Sequence, residues 1–294
     1  MKKFSGAITA TVTPFLPTGE VDFEALKKLV EFQIKNKINA IVPCGSTGEA
    51  ATLSDEEKGL VIKTVVEQVK KRVPVIAGAG SNDTQKAIKS SQIAKEAGAD
   101  ALLHVTPYYN KPTPKGLVAH FKAIAGSCDL PIILYNVPGR TGSNVTAETT
   151  LKIAKEVPSV VGVKEASGNI NQIMDIIKGA PKDFSVLSGD DAITFPVMTL
   201  GGDGVISVVS NEIPKEMSAL AKAALEGNWE KAKKLHFEWL DLMNINFIET
   251  NPQPVKTALA LMGKIKEVFR LPLVSMDEKN KEKLREVLSS HKLV

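Results

Sequence analysis

Eight short β-rich segments, separated by longer amphipathic segments, constrain the fold of this chain more than any other feature. The stretches between them, such as DFEALKKLVEFQIKNK, carry apolar residues at helical spacing. Eight strand–helix units without a break predict an α/β fold, a single (β/α)8 TIM barrel, and 294 residues suit one such barrel. The β-rich segments begin at Ala7, Ala40, Val73, Ala101, Pro131, Val160, Phe184 and Gly204.

The main alternative fold is an open, doubly wound sheet that binds a dinucleotide. Such a sheet needs a G-x-G-x-x-G turn after its first strand, and the segment ATVTPFLPTG does not supply one. The nearest match, GAGSND after the third β-rich segment, lacks the third glycine. The pattern therefore favours the barrel.

Local signals mark several helix starts and one large change along the chain. Ser54 and Glu57 match a capping box, and Asp83 and Thr146 are typical N-cap residues. After about Pro214 the β character disappears and only helical patterns remain. We therefore predict a catalytic barrel over residues 1–224 and a C-terminal helical extension over residues 225–294.

Composition excludes several classes of protein. The net charge of +4 is spread along the chain, and no basic stripe is interleaved with aromatic residues, so we expect no nucleic-acid partner. No apolar run approaches the ~20 residues that span a bilayer, and the N-terminal segment lacks a signal-peptide core, so we expect a cytoplasmic protein without membrane contact. Two cysteines and four histidines without ligand spacing predict no metal site.

The sixth β-rich segment, VVGVKEASGN, places Lys164 where a buried strand should still be apolar. A lysine is almost never buried without a partner, so this position needs a reason. In an apolar site an amine can act as a nucleophile and form a Schiff base with a carbonyl substrate. Alternatively, Lys164 lies just past the strand and points into water. The residue alone leaves both interpretations open.

Catalytic groups of such barrels lie at the carboxyl ends of the strands, and all three tyrosines of the chain fall there. Tyr108 and Tyr109 follow the fourth segment, and Tyr135 ends the fifth. A phenol near a Schiff-base lysine could act as general acid and base. We expect Tyr108 to be an ordinary aromatic residue of the rim.

Two further loops suit the binding of carboxylates. The turn GSTGEAATL offers backbone N–H groups beside its glycines and the hydroxyls of Ser46 and Thr47, although this pattern alone is weak. The loop YNVPGRTG carries Arg140, one of only four arginines. Its guanidinium could hold a substrate carboxylate in bidentate fashion, or it could bind backbone carbonyls of its own protein.

Together, several motifs resemble the pyruvate-dependent class I aldolase family of dihydrodipicolinate synthase and N-acetylneuraminate lyase. The resemblance runs from about Ile8 through the eighth β-rich segment and includes the helical tail. It implies that Lys164 forms a Schiff base with pyruvate and that no metal or organic cofactor takes part. The motifs are GSTGEAATL, PYYNKP, YNVPGRTG, GVKEASGN and SGDD.

The resemblance also implies roles for individual residues. Tyr135 is the central proton donor and acceptor, and Thr47 and Tyr109 complete a proton relay, with Tyr109 reaching in from a neighbouring subunit. Arg140 holds the carboxylate of the second substrate. The remaining substrate-binding positions are the backbone groups of Thr47 and Ile206 for pyruvate, Gly189 on the aldehyde side, and Ser46, which keeps a hydroxyl where many members have threonine.

Arg140 favours the branch of the family that condenses pyruvate with L-aspartate 4-semialdehyde in lysine and diaminopimelate biosynthesis. A pyruvate-dependent sugar-acid lyase, of the N-acetylneuraminate or 2-keto-3-deoxy acid type, and a non-catalytic keto-acid sensor are the alternatives. The resemblance implies a homotetramer built from two dimers. Lysine-inhibited members bind lysine at a subunit interface, where this chain carries Asp55, Lys58 and Lys86, so we predict weak or no inhibition by lysine.

Overall fold

Eight parallel β-strands form the centre of the protein in a computed structural model that describes residues 3–294. Met1 and Lys2, which the predicted barrel domain includes, lie outside the described residues. Each predicted β-rich segment contains one strand. The strands are β1 (Gly6–Ala10), β2 (Ala40–Val42), β3 (Ile76–Gly78), β4 (Ala101–Val105), β5 (Ile132–Asn136), β6 (Val160–Glu165), β7 (Ser185–Ser188) and β8 (Gly204–Ser207).

The sheet closes on itself between β2 and β3. Along the sheet the strands follow the order β2-β1-β8-β7-β6-β5-β4-β3, and a parallel bridge between Ile41 and Val75 joins its two ends. The Gly78 N–H donates to the Pro43 carbonyl at 2.9 Å on the same seam. A Cβ at residue 78 would lie 2.0 Å from the Cys44 carbonyl oxygen, so only glycine fits this approach. The predicted (β/α)8 barrel is confirmed.

Helices follow the strands and continue past the barrel. The predicted capping box of Ser54 and Glu57 and the N-caps Asp83 and Thr146 are confirmed. The helices are α1 (Phe23–Lys35), α2 (Asp55–Val69), α3 (Thr84–Glu96), α4 (Pro114–Ser127), α5 (Pro138–Thr141), α6 (Ala147–Glu156), α7 (Ile170–Gly179), α8 (Thr194–Thr199), α9 (Pro214–Leu225), α10 (Trp229–Ile245), α11 (Gln253–Leu261) and α12 (Glu278–Ser290).

Alternate residues of the strands form two apolar layers, because successive strand side chains point to opposite faces. The outer layer packs against the helices and includes Leu102, Leu134, Val163 and Val186. The inner layer fills the barrel and consists of Ile8, Ala10, Ala40, Val42, Ile76, Ala101, Leu103, Ile133, Tyr135, Val137, Leu187 and Ile206.

The C-terminal extension shares a core with the barrel. Val255 and Leu259 of α11 are fully buried and pack with Val12 and Val208, which follow β1 and β8. This packing places α11 at the carboxyl ends of these two strands. The boundary predicted between residues 224 and 225 stays a prediction. Within residues 3–294, no helix is both long enough and apolar enough to cross a membrane.

Candidate active site

A β-bulge in β6 turns Lys164 toward the inside of the barrel. The pairing of β5 with β6 shifts by one residue after Val160, so Val161 is an extra residue in β6. Because strand side chains alternate, an inserted residue reverses the faces of all residues that follow it. Without the bulge, Val163 would take the inner position and Lys164 the outer one.

Lys164 and Tyr135 lie side by side on the inner face. They are register partners on β6 and β5, and the Lys164 Nζ atom lies 4.3 Å from the centroid of the Tyr135 ring. Both side chains are buried, with exposed fractions of 5% and 6%. A Cβ on Gly189 would lie 3.1 Å from both Cγ and Cε of Lys164, so this glycine leaves room for the lysine chain. The structure therefore brings three of the predicted site residues together.

Lys164 differs from Lys256, the other buried lysine among residues 3–294. Lys256, which sequence reasoning missed, is fully buried in an ion pair with Glu49 at 2.5 Å. In the described part of the chain, no carboxylate forms an ion pair with Lys164, and the Tyr135 ring is the aromatic face against its amine. Burying a lysine without a carboxylate partner costs stability, so the arrangement needs a functional reason. A nucleophilic amine is such a reason.

A cavity of about 720 Å³ opens at the carboxyl ends of the strands, beside Tyr135. Ser46, Arg140 and Asn251 also line it. Lys164 does not line the cavity, but Tyr135, whose ring lies against the lysine amine, does. Parallel barrels hold their substrates at this end, so the cavity is the candidate site.

Asn251 links the two loops that were predicted to bind carboxylates. Its side-chain Nδ2 donates to the Thr47 hydroxyl at 3.0 Å, and its backbone carbonyl accepts a 3.0 Å hydrogen bond from Arg140. One N–H group of Arg140 thus binds a backbone carbonyl of its own protein, and the residue also lines the cavity. Sequence reasoning missed Asn251, because a polar residue between two helices carries no signal of what it touches.

Thr47 is buried, and its hydroxyl accepts from Asn251. No hydrogen bond joins Thr47 to Tyr135 within residues 3–294, so the predicted relay between them stays a prediction. Its neighbour Ser46 is exposed and lines the cavity. Ile206 is fully buried in the inner layer with Tyr135.

The two remaining tyrosines lie on the rim. Tyr108 is 40% exposed and lines the cavity, as expected of a rim aromatic residue. Tyr109 is 89% exposed and has a φ of +69°, a left-handed conformation that is uncommon for a bulky residue. This backbone turns Tyr109 away from its own barrel and toward solvent.

Other groups near the cavity do not suit nucleophilic or metal chemistry. Burial raises the pKa of the Cys44 thiol to about 12, so it stays protonated and unreactive at neutral pH. Among residues 3–294, no three His, Cys, Asp or Glu side chains lie together in a way that could hold a metal ion. Lys164 is therefore the candidate nucleophile of the cavity.

The class that this fold and this arrangement define is the class I aldolases built on a (β/α)8 barrel. The model of the dihydrodipicolinate synthetase family matches residues 3–291. The chain belongs to this family.

Individual relatives match almost the whole chain. The 4-hydroxy-tetrahydrodipicolinate synthase of Maridesulfovibrio salexigens is 55% identical over 291 residues, which cover 99% of each chain. The crystal structure of dihydrodipicolinate synthase from Aquifex aeolicus superimposes with a TM-score of 0.97 at 48% identity and 99% coverage of both chains. The chloride-inhibited dihydrodipicolinate synthase from Acinetobacter baumannii, solved in complex with pyruvate, has a TM-score of 0.97 at 46% identity, with 99% and 100% covered.

Proposed function

We propose that this protein is a 4-hydroxy-tetrahydrodipicolinate synthase, which condenses pyruvate with L-aspartate 4-semialdehyde in lysine and diaminopimelate biosynthesis. The observation that carries the proposal is the buried Lys164, which has no carboxylate partner and lies against the Tyr135 ring. Relatives that carry this name and match nearly the whole chain support it. Neither a sugar-acid lyase nor a sensor is favoured by any feature of the cavity.

The first half of the reaction activates pyruvate on Lys164. The amine adds to the C2 carbonyl, and loss of water leaves an imine. Tyr135 supplies the proton that leaves with the hydroxyl and takes protons back in later steps. The protonated imine accepts the electron pair when a C3 proton leaves, so an enamine forms without a metal or an organic cofactor.

The second half forms the carbon–carbon bond. The enamine C3 attacks the aldehyde carbon of the semialdehyde, and the resulting alkoxide takes a proton. The amino group of the semialdehyde then adds to C2, displaces Lys164 and closes the six-membered ring. Arg140 holds the semialdehyde carboxylate, with one N–H already fixed on the Asn251 carbonyl.

Other residues of the cavity bind and orient the substrates. The turn that contains Ser46 and Thr47 holds the pyruvate carboxylate, together with the backbone of Ile206, and Gly189 lies on the aldehyde side. Thr47 and Tyr109 extend the proton relay from Tyr135. Because Tyr109 points away from its own barrel, it serves the site of a neighbouring subunit in a homotetramer of two dimers. Two free, buried cysteines suit a cytoplasmic location.

Pyruvate consumption by the purified protein tests the proposal with three aldehydes: aspartate semialdehyde, N-acetylmannosamine and glyceraldehyde. We expect turnover with the semialdehyde alone, and we expect Arg140→Ala to abolish it. Turnover with either sugar aldehyde instead would refute the synthase proposal and place the protein with the sugar-acid lyases.

A further inference from the structure

Directly behind Lys164 and Tyr135, on the outer face of the sheet, lies a buried polar pair. Glu165 follows Lys164 and Asn136 follows Tyr135, and the two are themselves register partners. Both side chains are fully buried. The substrate-facing pair and this polar pair therefore occupy opposite faces of the same two strand ends.

Glu165 is held by N–H donors from three directions. Its carboxylate accepts from Asn136 Nδ2 at 3.0 and 3.2 Å, from the Ser167 N–H at 2.7 Å and from Gln172 Nε2 at 3.2 Å. Within residues 3–294 it has no cationic partner among the ion pairs, so N–H dipoles alone compensate its burial. These bonds tie the end of β6 to the end of β5, to the following turn and to α7.

Asn136 extends the same network to the loop that carries Arg140. Its Nδ2 donates to Asn144 Oδ1 at 2.9 Å, and its Oδ1 accepts the Val145 N–H at 3.0 Å. Asn144 also donates to Gln172 Oε1 at 2.8 Å. Residues 137–144 are thereby closed into a loop whose two ends meet at Asn136.

We propose that Asn136, Asn144, Glu165 and Gln172 form a positioning network that sets the geometry of Lys164, Tyr135 and the Arg140 loop. The inference rests on the proposed function. Apolar residues could fill the same space, but they would not fix the orientation of the two strand ends relative to each other. A buried network with its hydrogen bonds satisfied does fix this orientation. Displacement of a reacting group by about 1 Å can cost a reaction ~10²-fold in rate.

Glu165→Gln tests the network, because it changes few atoms but presents an NH₂ donor to groups that are donors themselves. Glu212→Gln is the matched control. Glu212 is also buried and accepts from an asparagine, Asn246 Nδ2 at 3.0 Å, and neither residue is among the proposed site residues. For each variant we would measure circular dichroism, kcat, both KM values, and the rate of borohydride-trapped pyruvate adduct.

We expect Glu165→Gln to fold and to lose kcat by about 10²-fold, with trapping slowed in parallel. Glu212→Gln should keep kcat within about twofold. A Glu165→Gln protein with wild-type kcat and wild-type trapping would overturn the inference. Where part of the Glu165→Gln protein is unfolded, kcat is calculated per folded molecule, and a wild-type kcat on that basis would overturn the inference too.

Asn144→Ala keeps the test decisive if Glu165→Gln does not fold, since Asn144 is exposed and lies at the edge of the network. This variant should raise the KM for the semialdehyde more than it slows pyruvate trapping, because Asn144 borders the Arg140 loop while Glu165 keeps its own N–H donors. Unchanged KM values in Asn144→Ala would contradict the inference. Absence of any adduct in the wild-type protein would instead refute the proposed function, and the inference would fall with it.

Discussion

The Lys164 amine lies 4.3 Å from the centroid of the Tyr135 ring, and the two residues are register partners on neighbouring strands. This contact exists because the extra residue Val161 reverses the face of every later residue in β6. In the proposed reaction, this amine and this phenol act on the same carbonyl group of a keto acid. The chemistry proposed for this protein depends on that single shift in register.

Gly189 should be intolerant of any side chain. A Cβ there would lie 2.6 Å from Ala166 Cβ and 3.1 Å from Lys164 Cε, so Gly189→Ala forces the lysine chain to move. We expect kcat to fall by about 10- to 100-fold, as misplacement of a reacting group does. Gly126→Ala, in α4 with open space around the new methyl group, is the control and should keep wild-type kcat. Equal kcat values for the two variants would contradict this account.

The buried ion pair between Glu49 and Lys256 should matter for stability. Lys256→Met leaves the Glu49 carboxylate buried without its cation, which we expect to cost about 3–5 kcal/mol in the free energy of unfolding. The double variant Glu49→Gln/Lys256→Met should recover most of this loss, since no lone charge remains. Urea unfolding measures the free energy of unfolding of both variants.

Lys281→Met is the control for this prediction. The side chains of Lys281 and Glu267 keep about 20% of their surface exposed, so water can reach the carboxylate that is left, and the loss should cost less than that of Lys256. If Lys256→Met unfolds at the same urea concentration as Lys281→Met, the ion pair does not have the structural role assigned to it.

Acid should destabilise the protein partly through His104. Burial lowers the pKa of this fully buried imidazole from 6.5 to about 3, so the unfolded chain takes up the proton first as the pH falls. The stability that the neutral ring contributes is complete above pH 6.5 and is lost progressively below it. At one pH unit below 6.5 the loss is about 1.4 kcal/mol, or ~2–4 °C in Tm.

His104→Gln removes this titration. The fall in Tm between pH 7.5 and pH 5.5 should therefore be about 2–4 °C smaller in the variant than in the wild type. The quantity compared between the two proteins is the change in Tm from pH 7.5 to pH 5.5, so a different Tm of the variant at pH 7.5 does not affect the test. An identical fall in both proteins would show that His104 does not contribute to acid sensitivity.

L-Lysine should inhibit the enzyme weakly or not at all. Lys58, Lys86 and Lys89 line the same cavity beyond the active site, and Asp55, the acidic residue among them, is paired with Lys89 at 2.7 Å. A ligand with an ammonium group meets like charges there. Initial rates at saturating pyruvate and increasing L-lysine measure this, and a millimolar or tighter inhibition constant would show the prediction to be wrong.

The fold followed from local patterns, because eight strands rich in Val, Ile and Ala alternate with helices whose caps can be read residue by residue. Lys164 stood out for the same reason, as a charge in an apolar strand. The bulge at Val161 left no such signal, since this residue resembles its neighbours and the shift arises from pairing with β5.

Contacts between residues far apart along the chain could not be predicted from the sequence either. Asn251 lies 204 residues from Thr47 along the chain, and Lys256 lies 207 residues from Glu49. In an amphipathic helical pattern such as PQPVKTALALMG, a lysine is expected on the solvent face, yet Lys256 is fully buried. Only the packing of α11 onto the barrel reveals its partner.

Reduction with borohydride in the presence of pyruvate, followed by peptide mass spectrometry, tests the central claim most directly. We predict one N-(1-carboxyethyl)lysine, at Lys164, in wild-type protein. We predict none in Lys164→Arg, which should stay folded but lose turnover on the order of 10³-fold or more, because a guanidinium forms no imine. An adduct on Lys256, or no adduct at all, would contradict the assignment of Lys164 as the nucleophile.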